Sequence, residues 1–549
     1  MDVVLSQNLV PNLLKGGAQS KLYLLRPKGE IGKSTYIDHP PPPSQLDISL
    51  SPQVSKRMAS ISLSSPKPSP ELRGLLFSPG PAVLPRSLFN SRGTRTRSFR
   101  KIRSLEVRRP RSVTPVSLQR SEHDVVVVGA GIIGLTIARQ LLLSSSLSVA
   151  VVDAGVPCSG ATGAGQGYIW LANKTPGSDT WELGMRSKQL WEELADSMKR
   201  QGMDPLDVMG WKKTGSLLIG KTSSELAMLE LRVNLFNRAG LRAEYLSSSS
   251  LHSKEPALEV GEESGAAFFP EDCQLDAFQA VAFIEKGNKY FSPEGRYAEF
   301  YNNPAIRLLR SERTGAVEGI QTSQNILYGK KAVVVAAGAW SGSLMKSFIE
   351  KPNSGLNVPV KPRKGHLLVL EKFNKIHLNH GLMEVGYIDH QAATLPYTSL
   401  ASEADEDAQK LSSISMTATM DSRENLVLGS SRQFTGFSTE VDESIIKQIL
   451  NRAGEFFPAL RALSCDVSQN RKIRIGLRPY MPDGKPVIGP VPSLPNLLLA
   501  TGHEGSGLLM ALGTAEMVTD MILGNSDKVD CTPFSIQGRF CSLDYSEGS

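Results

Sequence analysis

The chain has 549 residues, and its 40% hydrophobic and 21% charged residues are the composition of a globular protein. That length accommodates about two to four domains. We find no run near the roughly 18 apolar residues that cross a bilayer, so we expect no membrane-spanning segment. The net charge of +7 is divided unequally, because residues 1–120 hold 20 Lys and Arg against 6 Asp and Glu, leaving 41 against 48 for the rest. The globular part is therefore acidic, and we expect no nucleic-acid partner.

Residues 1–120 show little apolar periodicity and are rich in Pro, Ser and Arg. This composition is typical of an organelle transit peptide, and it predicts a chloroplast location, with the mitochondrion as the alternative. Met58 begins the sequence Met-Ala-Ser-Ile-Ser-Leu-Ser-Ser, which resembles the start of plastid transit peptides and makes Met58 a candidate initiator in place of Met1. A disordered basic tail is the other interpretation of this region.

The first predicted elements form a strand–turn–helix–strand unit. Val125–Val128 is a β-branched run, as expected for a strand buried on both faces of a parallel sheet, and we expect order to begin near His123. A helix follows the glycine-rich turn at 129–134, and residues 149–153 form a second buried strand. Further along the chain, apolar periodicity predicts helices at Trp181–Arg200, Ser223–Ala239 and Leu508–Leu523. It also predicts a strand at Gly215–Ile219, between the first two of these helices.

The five cysteines are scattered, and no Cys pair or Cys/His cluster has metal-binding spacing. We therefore expect free thiols and no metal site. Cys158 follows the second strand of the predicted unit and is a candidate reactive thiol.

The turn has the pattern Gly129-x-Gly131-x-x-Gly134 between a strand and a helix. The first glycine permits the tight turn, the second allows backbone to approach a pyrophosphate, and the third lets helix and strand pack closely. The helix N-terminus offers N–H donors to the phosphates. Asp153 ends the next strand, where an acid can accept a hydrogen bond from a ribose hydroxyl. The unit thus predicts a dinucleotide site, without distinguishing FAD from NAD(P).

Distant segments complete the pattern. The motifs are GAGIIG at 129–134, the Thr162–Gly167 loop, PEDCQLDAF at 270–278, VVVAAGAWSG at 333–342, PVKPRKGHLLVL at 359–370, LVLGSSRQ at 426–433, GLRPYMPDGKPVIG at 476–489 and ATGHEGSGLLMALGTAEM at 500–517. In this order they resemble the FAD-dependent D-amino-acid oxidase superfamily, in its glycine oxidase, sarcosine oxidase and D-amino-acid dehydrogenase branch, as a plant plastid-type member.

The resemblance implies an α/β fold with a doubly wound, Rossmann-like FAD domain and a discontinuous substrate domain that contains an antiparallel sheet. We expect FAD-binding segments at about 123–215, 265–345 and 474–525, a substrate domain at about 216–264 and 346–473, and a C-terminal tail at 526–549. It also implies noncovalent FAD and C–N oxidation of an amino acid or secondary amine by hydride transfer, with dioxygen or a quinone or protein as electron acceptor.

Arg478 matches the arginine that in glycine oxidase-like enzymes binds the substrate carboxylate; a structural salt bridge is its alternative role. We expect His503 to be structural rather than a catalytic base. The expected FAD contacts are Gly129, Ala130, Gly131, Ile132, Ile133, Gly134, Asp153, Ala154, Thr162, Gly163, Ala164, Gly165, Gln166, Ala305, Ile306, Ala337, Gly338, Trp340, Gly505, Ser506, Gly507 and Leu508.

Two departures from the family put glycine in doubt as the substrate. The final Gly-His turn carries Glu504 where some glycine oxidases have a second arginine, and no tyrosine precedes the strand at 426–429, where Met416 and Met420 are expected in the core. The remaining alternatives are oxidation of a 2-hydroxy acid, with His366 or His503 as base, and a flavin-binding assembly factor with little turnover.

Overall fold

The computed structural model describes residues 118–349, 358–388, 413–461, 463 and 470–539. The expected transit region thus lies outside the described residues, apart from residues 118–120. The first strand begins at Gln119, four residues before the expected onset of order, because residues 119–123 already pair with Asn325–Gly329.

The first sheet carries the glycine-rich turn. Its strands are β1 (Gln119–Val128), β2 (Val149–Val152), β8 (Tyr297–Phe300), β9 (Ala305–Arg310), β10 (Val317–Thr322), β11 (Asn325–Val335), β17 (Val487–Pro490) and β18 (Leu497–Thr501). The order is β17-β18-β11-β1-β2-β8, and the strands from β18 to β8 are parallel. Outside this order, β10 pairs antiparallel with β11, and β9 pairs antiparallel with β10. Val125 and Val127 pack in one buried cluster and Val126 and Val128 in another, as predicted for a strand covered on both faces.

Two apolar helices, α1 (Ile132–Ser144) and α10 (Gly507–Leu523), pack on one face of this sheet, and the amphipathic helix α2 (Trp181–Arg200) packs against α10. Trp191 Nε1 donates to the carbonyl of Leu508 at 2.9 Å, which fixes α2 on α10. The stretch Glu504–Leu523 has 20 residues and a mean hydropathy of 1.3, so it is long and apolar enough to cross a membrane. In this fold 67% of that stretch is buried within the protein, as in a core helix.

The second sheet is largely antiparallel, as predicted. Its strands are β4 (Ser216–Gly220), β5 (Glu244–Ser247), β6 (Gly265–Phe269), β12 (Lys361–Leu370), β13 (Gly381–Glu384), β14 (Ser413–Met420), β15 (Leu426–Arg432) and β16 (Arg471–Tyr480). Their order is β16-β12-β15-β14-β13-β4-β6-β5. Met416 and Met420 pack in the apolar cluster of this sheet with α8 (Glu443–Gly454), which confirms their expected core position.

The remaining elements connect the sheets or lie at their margins. They are β3 (Tyr168–Ile169), β7 (Cys273–Gln274), α3 (Pro205–Met209), α4 (Ser223–Arg238), α5 (Ser248–Lys254), α6 (Ala277–Lys289), α7 (Ser341–Phe348), α9 (Pro458–Arg461) and 3-10 turns at Gly338–Trp340, Glu504–Ser506 and Thr532–Phe534. The helices expected at 181–200, 223–239 and 508–523 and the strand at 215–219 are present within one residue of their predicted bounds.

The structure bears on three further expectations. Strands β6 and β16 belong to the second sheet, because β6 pairs with β4 and β5 and all ten residues of β16 pair with β12. The divisions expected at 265 and 474 stay predictions. Residues 526–539 of the expected C-terminal tail include the fully buried Phe534 and the nearly buried Ile536. Cys158, the candidate reactive thiol, is 4% exposed, and burial raises the pKa of the thiol to about 12, which disfavours the reactive thiolate.

Candidate functional site

A cavity of about 760 Å³ lies between the two sheets, at the carboxyl ends of the parallel strands of the first sheet. The strand ends Val128, Val152 and Ala336 line the cavity, and Leu367 and Leu477 line it from the second sheet. Open α/β sheets bind ligands at this edge, and the volume is that of a cofactor or small-molecule site.

The three glycines of the turn differ in what surrounds them. Gly129 has a φ of +120°, and a Cβ added there would lie 2.3 Å from the carbonyl oxygen of Ala336. A Cβ at Gly134 would lie 1.9 Å from the carbonyl oxygen of Gly129. Gly131 lines the cavity, and its added Cβ would meet only Thr162 Oγ1, at 3.4 Å. Packing thus requires the first and third glycines, whereas the second leaves open space in the cavity.

The N-terminus of α1 faces the same space. Gly131 caps the helix without a side-chain hydrogen bond, and the first turn contains no acidic residue. Thr162 Oγ1 accepts from the N–H of Ile132 at 3.2 Å, while Ile133 also lines the cavity. Exposed backbone donors and the positive end of the helix dipole suit a phosphate group.

Asp153 lies at the end of β2 and lines the cavity. One carboxylate oxygen accepts from the N–H of Ala130 at 2.6 Å and the other from the N–H of Gly155 at 2.7 Å. Each oxygen has a second lone pair, so the carboxylate is positioned by the turn and still able to accept from a ribose hydroxyl.

The loop at 159–167 connects the two sheets along the cavity. Gln166 Nε2 donates to the carbonyl of Val427 at 3.2 Å, and Gln166 Oε1 accepts from the Thr417 hydroxyl at 2.8 Å. Most of the expected FAD contacts after Asp153 also line the cavity. They are Ala154, Thr162, Ala164, Gly165, Gln166, Ala305, Ala337, Gly338, Trp340, Gly505, Gly507 and Leu508.

Five expected contacts do not line the cavity: Ala130, Gly134, Gly163, Ile306 and Ser506. The added Cβ of Gly163 would lie 2.3 Å from the carbonyl oxygen of Cys158, so this glycine serves packing within the loop. Ile306 is 50% exposed and follows Ala305 along a strand, where successive side chains point to opposite faces. Ser506 Oγ is within 2.6 Å of the buried Lys174 Nζ, which donates to it.

The two histidines considered as bases are both engaged. His503 is buried with Nε2 2.9 Å from Thr514 Oγ1, and burial, with a smaller effect from Lys174, lowers the pKa of His503 to about 3. His366 lies outside the cavity lining, with Nδ1 3.1 Å from Ser431 Oγ and Nε2 accepting from the N–H of Asp442 at 3.3 Å. His366 thus lies away from the cavity wall, and His503, which lines the cavity, has Nε2 engaged by Thr514 and a pKa too low for an effective base.

Arg478 lines the cavity from β16. Its Nη1 donates to the carbonyl of Ser431 at 2.9 Å, and the guanidinium lies over Gly365 of β12, where an added Cβ would come 2.2 Å from Nη1. Gly365 therefore provides the space that the guanidinium occupies. The side chain has no carboxylate partner among the described residues, unlike a structural salt bridge.

Sequence reasoning missed several residues of this end of the cavity. Tyr387, just after β13, lines the cavity, as does Tyr168, and the motif before β15 supplies neither. Arg363 and Arg432 lie within the quoted motifs of β12 and β15, but only the tertiary structure brings them together with Glu504. Arginines are rare in buried strands, so their presence in these two motifs was the sequence signal that could have indicated the site.

Comparison with known proteins agrees with this geometry. Residues 124–521 match the family described as DAO, FAD dependent oxidoreductase. Glycine oxidases of Geobacillus kaustophilus and Bacillus subtilis are 24% and 25% identical over 75% of this chain and 96% of their own lengths. The crystal structure of the Geobacillus kaustophilus glycine oxidase has a TM-score of 0.61 at 22% identity, covering 76% of this chain and 99% of the other. L-proline dehydrogenase from P. horikoshii has a TM-score of 0.61 at 19% identity, covering 76% and 97%.

Proposed function

The chain belongs to the FAD-dependent oxidoreductase family of D-amino-acid oxidase, and on that premise we propose that it oxidises the C–N bond of a small amine that carries a carboxylate. The observation that supports this most directly is Arg478, a guanidinium at the cavity wall with no carboxylate partner among the described residues. A planar guanidinium binds a carboxylate through two parallel hydrogen bonds and thereby fixes the adjacent carbon.

FAD is the cofactor, and when bound it accepts the hydride. In the proposed division of roles, the N-terminus of α1 holds the pyrophosphate and Asp153 the ribose. The N-terminus of α10 also faces the cavity, without a side-chain cap or an acid in its first turn, and is suited to hold negative charge on the flavin ring. We expect noncovalent attachment, because the Ser159–Gly167 loop contains no histidine and no cysteine follows the final glycine motif before Cys531. Acid precipitation should release the flavin.

The proposed reaction removes a hydride from the carbon beside the nitrogen and a proton from the nitrogen, which leaves an imine. Water then adds to the imine and releases an oxo acid and an amine or ammonia. If the amine binds unprotonated, the protein needs no base, which fits the position of His366 outside the cavity lining and the low pKa of His503. The task of the chain is then to orient the carbon and exclude water.

Anaerobic mixing of the flavin-loaded protein with amino acids, N-methyl amino acids and 2-hydroxy acids tests the proposal. We expect bleaching of the flavin near 450 nm by amino or N-methyl amino acids only. Bleaching by hydroxy acids alone would contradict C–N oxidation, and no bleaching by any, with a partner complex recovered, would favour an assembly factor. Readmission of air with measurement of hydrogen peroxide distinguishes dioxygen from another acceptor.

We also propose a plastid location, on the basis of the basic, Ser- and Pro-rich residues 1–120. Fusions of residues 1–120 and of 58–120 to a fluorescent protein test the location and the candidate initiator Met58. Import into mitochondria, or a cytosolic signal from both fusions, would contradict the proposal.

A further inference from the structure

Three arginines from neighbouring strands meet beside the cavity: Arg363 of β12, Arg432 at the end of β15, and Arg478 of β16. Arg363 and Arg478 are directly opposite each other in the β12–β16 pairing. Like charges at opposed positions destabilise an antiparallel sheet, so this arrangement has a cost that an anion would offset.

Glu504 offsets one of the three charges. Its Oε1 lies 2.8 Å from Arg363 Nη2, with 13% of the glutamate side chain and 3% of the arginine side chain exposed. Glu504 has a φ of 48°, a left-handed conformation that is disfavoured for residues other than glycine. Strained backbone of this kind concentrates at ligand sites, which is consistent with a wall residue of a binding cavity.

The other two arginines have no carboxylate partner among the residues that the structure describes. Arg432 is 4% exposed, and its nearest acceptors, Ser415 Oγ and the carbonyl of Tyr387, are both at 3.5 Å, the limit of a hydrogen bond. Arg432 also stacks 4.1 Å from the ring centre of Tyr387, which lines the cavity. Among the described residues, Arg478 donates to the carbonyl of Ser431.

The ion pair of Arg363 and Glu504 is itself incompletely satisfied. Its atoms are close but poorly aligned, so that Arg363 Nε and Nη2 and Glu504 Oε1 have no hydrogen-bond partner. Buried donors rarely remain without an acceptor in a complete structure, and a ligand or ordered water is the usual explanation.

No other described group supplies the missing negative charge. Lys174, which is buried near Glu504, adds a further positive charge. His503 is neutral, since burial holds its pKa near 3. After the pairing of Arg363 with Glu504, two guanidiniums have no carboxylate within ion-pair distance among the described residues: Arg478 at the cavity wall and Arg432 behind it, against Tyr387. Buried charges without a partner are costly, which makes an anionic ligand favourable here.

We propose that the substrate carries two carboxylates, as an amino dicarboxylate or an N-carboxymethyl amino acid. Arg478 binds the carboxylate beside the reacting carbon, and Arg432, with the adjacent Arg363–Glu504 pair, attracts the second. A dicarboxylate whose amine is unprotonated has a charge of −2, opposite in sign to the excess positive charge of Arg363, Arg432, Arg478 and Lys174 over Glu504. This inference rests on the proposed C–N oxidation.

Matched ligand pairs test it on the flavin-loaded enzyme. The pairs are glutamate with glutamine and aspartate with asparagine, in both enantiomers, and N-carboxymethylglycine with N-methylglycine. We expect the ratio of the flavin-reduction rate constant to Kd to be at least about tenfold higher for a diacid than for its partner, because the second carboxylate adds a charge-assisted hydrogen bond. Equal or faster reduction by the neutral partners would overturn the second carboxylate site while leaving C–N oxidation intact.

A binding measurement keeps the test independent of turnover. Succinate and glutarate should perturb the flavin spectrum with a Kd at least about tenfold lower than their monoamides, succinamate and glutaramate. If no amine reduces the flavin but this difference holds, the proposed reaction fails and the dianion site stands. Equal Kd values for acids and monoamides would overturn the site.

Arg432→Gln should reduce the preference for diacid over monoamide by about tenfold, and Arg432→Lys should retain part of it. Arg471→Gln is the matched control, because it also removes a guanidinium, here one from β16. Arg471 does not line the cavity, and its Nη2 lies 3.1 Å from Glu443 Oε1. Flavin content confirms that each variant folds. An unchanged preference in both Arg432 variants would exclude Arg432 from the site.

Discussion

Arg363 Nη2 and Glu504 Oε1 lie 2.8 Å apart, in a buried ion pair that connects the second sheet to the turn before α10. Loss of one partner leaves the other charge buried. We expect Glu504→Gln to lower the free energy of unfolding by about 3–5 kcal/mol, measured by denaturant titration of the flavin-saturated protein at pH 7. The control Glu443→Gln removes an exposed partner of Arg471 and should cost less than about 1 kcal/mol. Equal effects of the two variants would contradict the buried pair.

The same pair predicts a pH dependence. Burial opposes ionisation of Glu504, but Arg363, Arg478 and Arg432 outweigh it and hold the pKa of Glu504 below its ordinary value. The stabilisation is therefore present above the ordinary glutamate pKa of about 4.3 and is lost as the pH falls through the lower pKa of the folded state. The difference between wild type and Glu504→Gln should shrink over that acidic range, and a constant difference would contradict this assignment.

Gly131→Val should abolish FAD retention without unfolding the apoprotein. Gly131 has φ −74° and ψ 178°, which valine adopts readily, and its side chain would extend into the cavity past Thr162. Flavin absorbance after gel filtration measures retention, and circular dichroism measures folding. Gly129→Ala is the contrasting variant, since its Cβ would lie 2.3 Å from the carbonyl oxygen of Ala336 and should disrupt the fold itself. A yellow, fully loaded Gly131→Val protein would exclude this position from the cofactor site.

Gly365→Ala should weaken substrate binding through Arg478. The added Cβ would lie 2.2 Å from Nη1, so the guanidinium must move away from Ser431. We expect KM to rise at least about tenfold with FAD still bound, and Arg478→Met to produce the same rise. If Gly365→Ala bound substrate normally while Arg478→Met did not, the guanidinium would have to occupy another position in the working enzyme.

We expect His503 to affect how the free energy of unfolding changes at acidic pH, and not to affect how kcat changes with pH. The pKa of His503 is about 3 in the folded protein, against about 6.5 for an ordinary histidine in the unfolded chain. As the pH falls below about 6.5, the unfolded chain therefore binds a proton at His503 before the folded protein does. Between pH 7 and 5 this site alone should remove about 2 kcal/mol of unfolding free energy. The variant His503→Gln should reduce that loss while leaving the inflections of kcat against pH in place. A shifted inflection would instead indicate a base.

Cys158 and Cys273 should resist iodoacetamide in the native protein. Both are buried, and burial raises the pKa of each thiol to about 12, so almost no thiolate exists at pH 8. Mass spectrometry of tryptic peptides should find both alkylated only after unfolding. Native labelling of Cys158 would show that its loop opens, which would place a reactive thiol beside the cofactor site.

The first βαβ unit could be derived from the sequence because its determinants are local. The valine run of β1, the spacing of Gly129, Gly131 and Gly134, and Asp153 at the end of β2 each specify their own neighbourhood. The boundaries of the second sheet were harder to predict. Strand β6 is a short apolar run and β16 mixes basic with apolar residues. The sheet to which either strand belongs depends on hydrogen-bond partners distant in sequence.

By itself, therefore, the sequence determined the dinucleotide turn, the antiparallel second sheet and the position of Arg478 in a motif, since each has a local pattern or a family resemblance. Only the tertiary structure decided that Arg363, Arg432 and Glu504 surround Arg478 and that Tyr387 lines the cavity. These residues come from strands and turns separated by up to about 140 positions, between Arg363 and Glu504. The physical reason is that a charge has no preferred partner along the chain, and its partner is chosen only when the strands pair and exclude water.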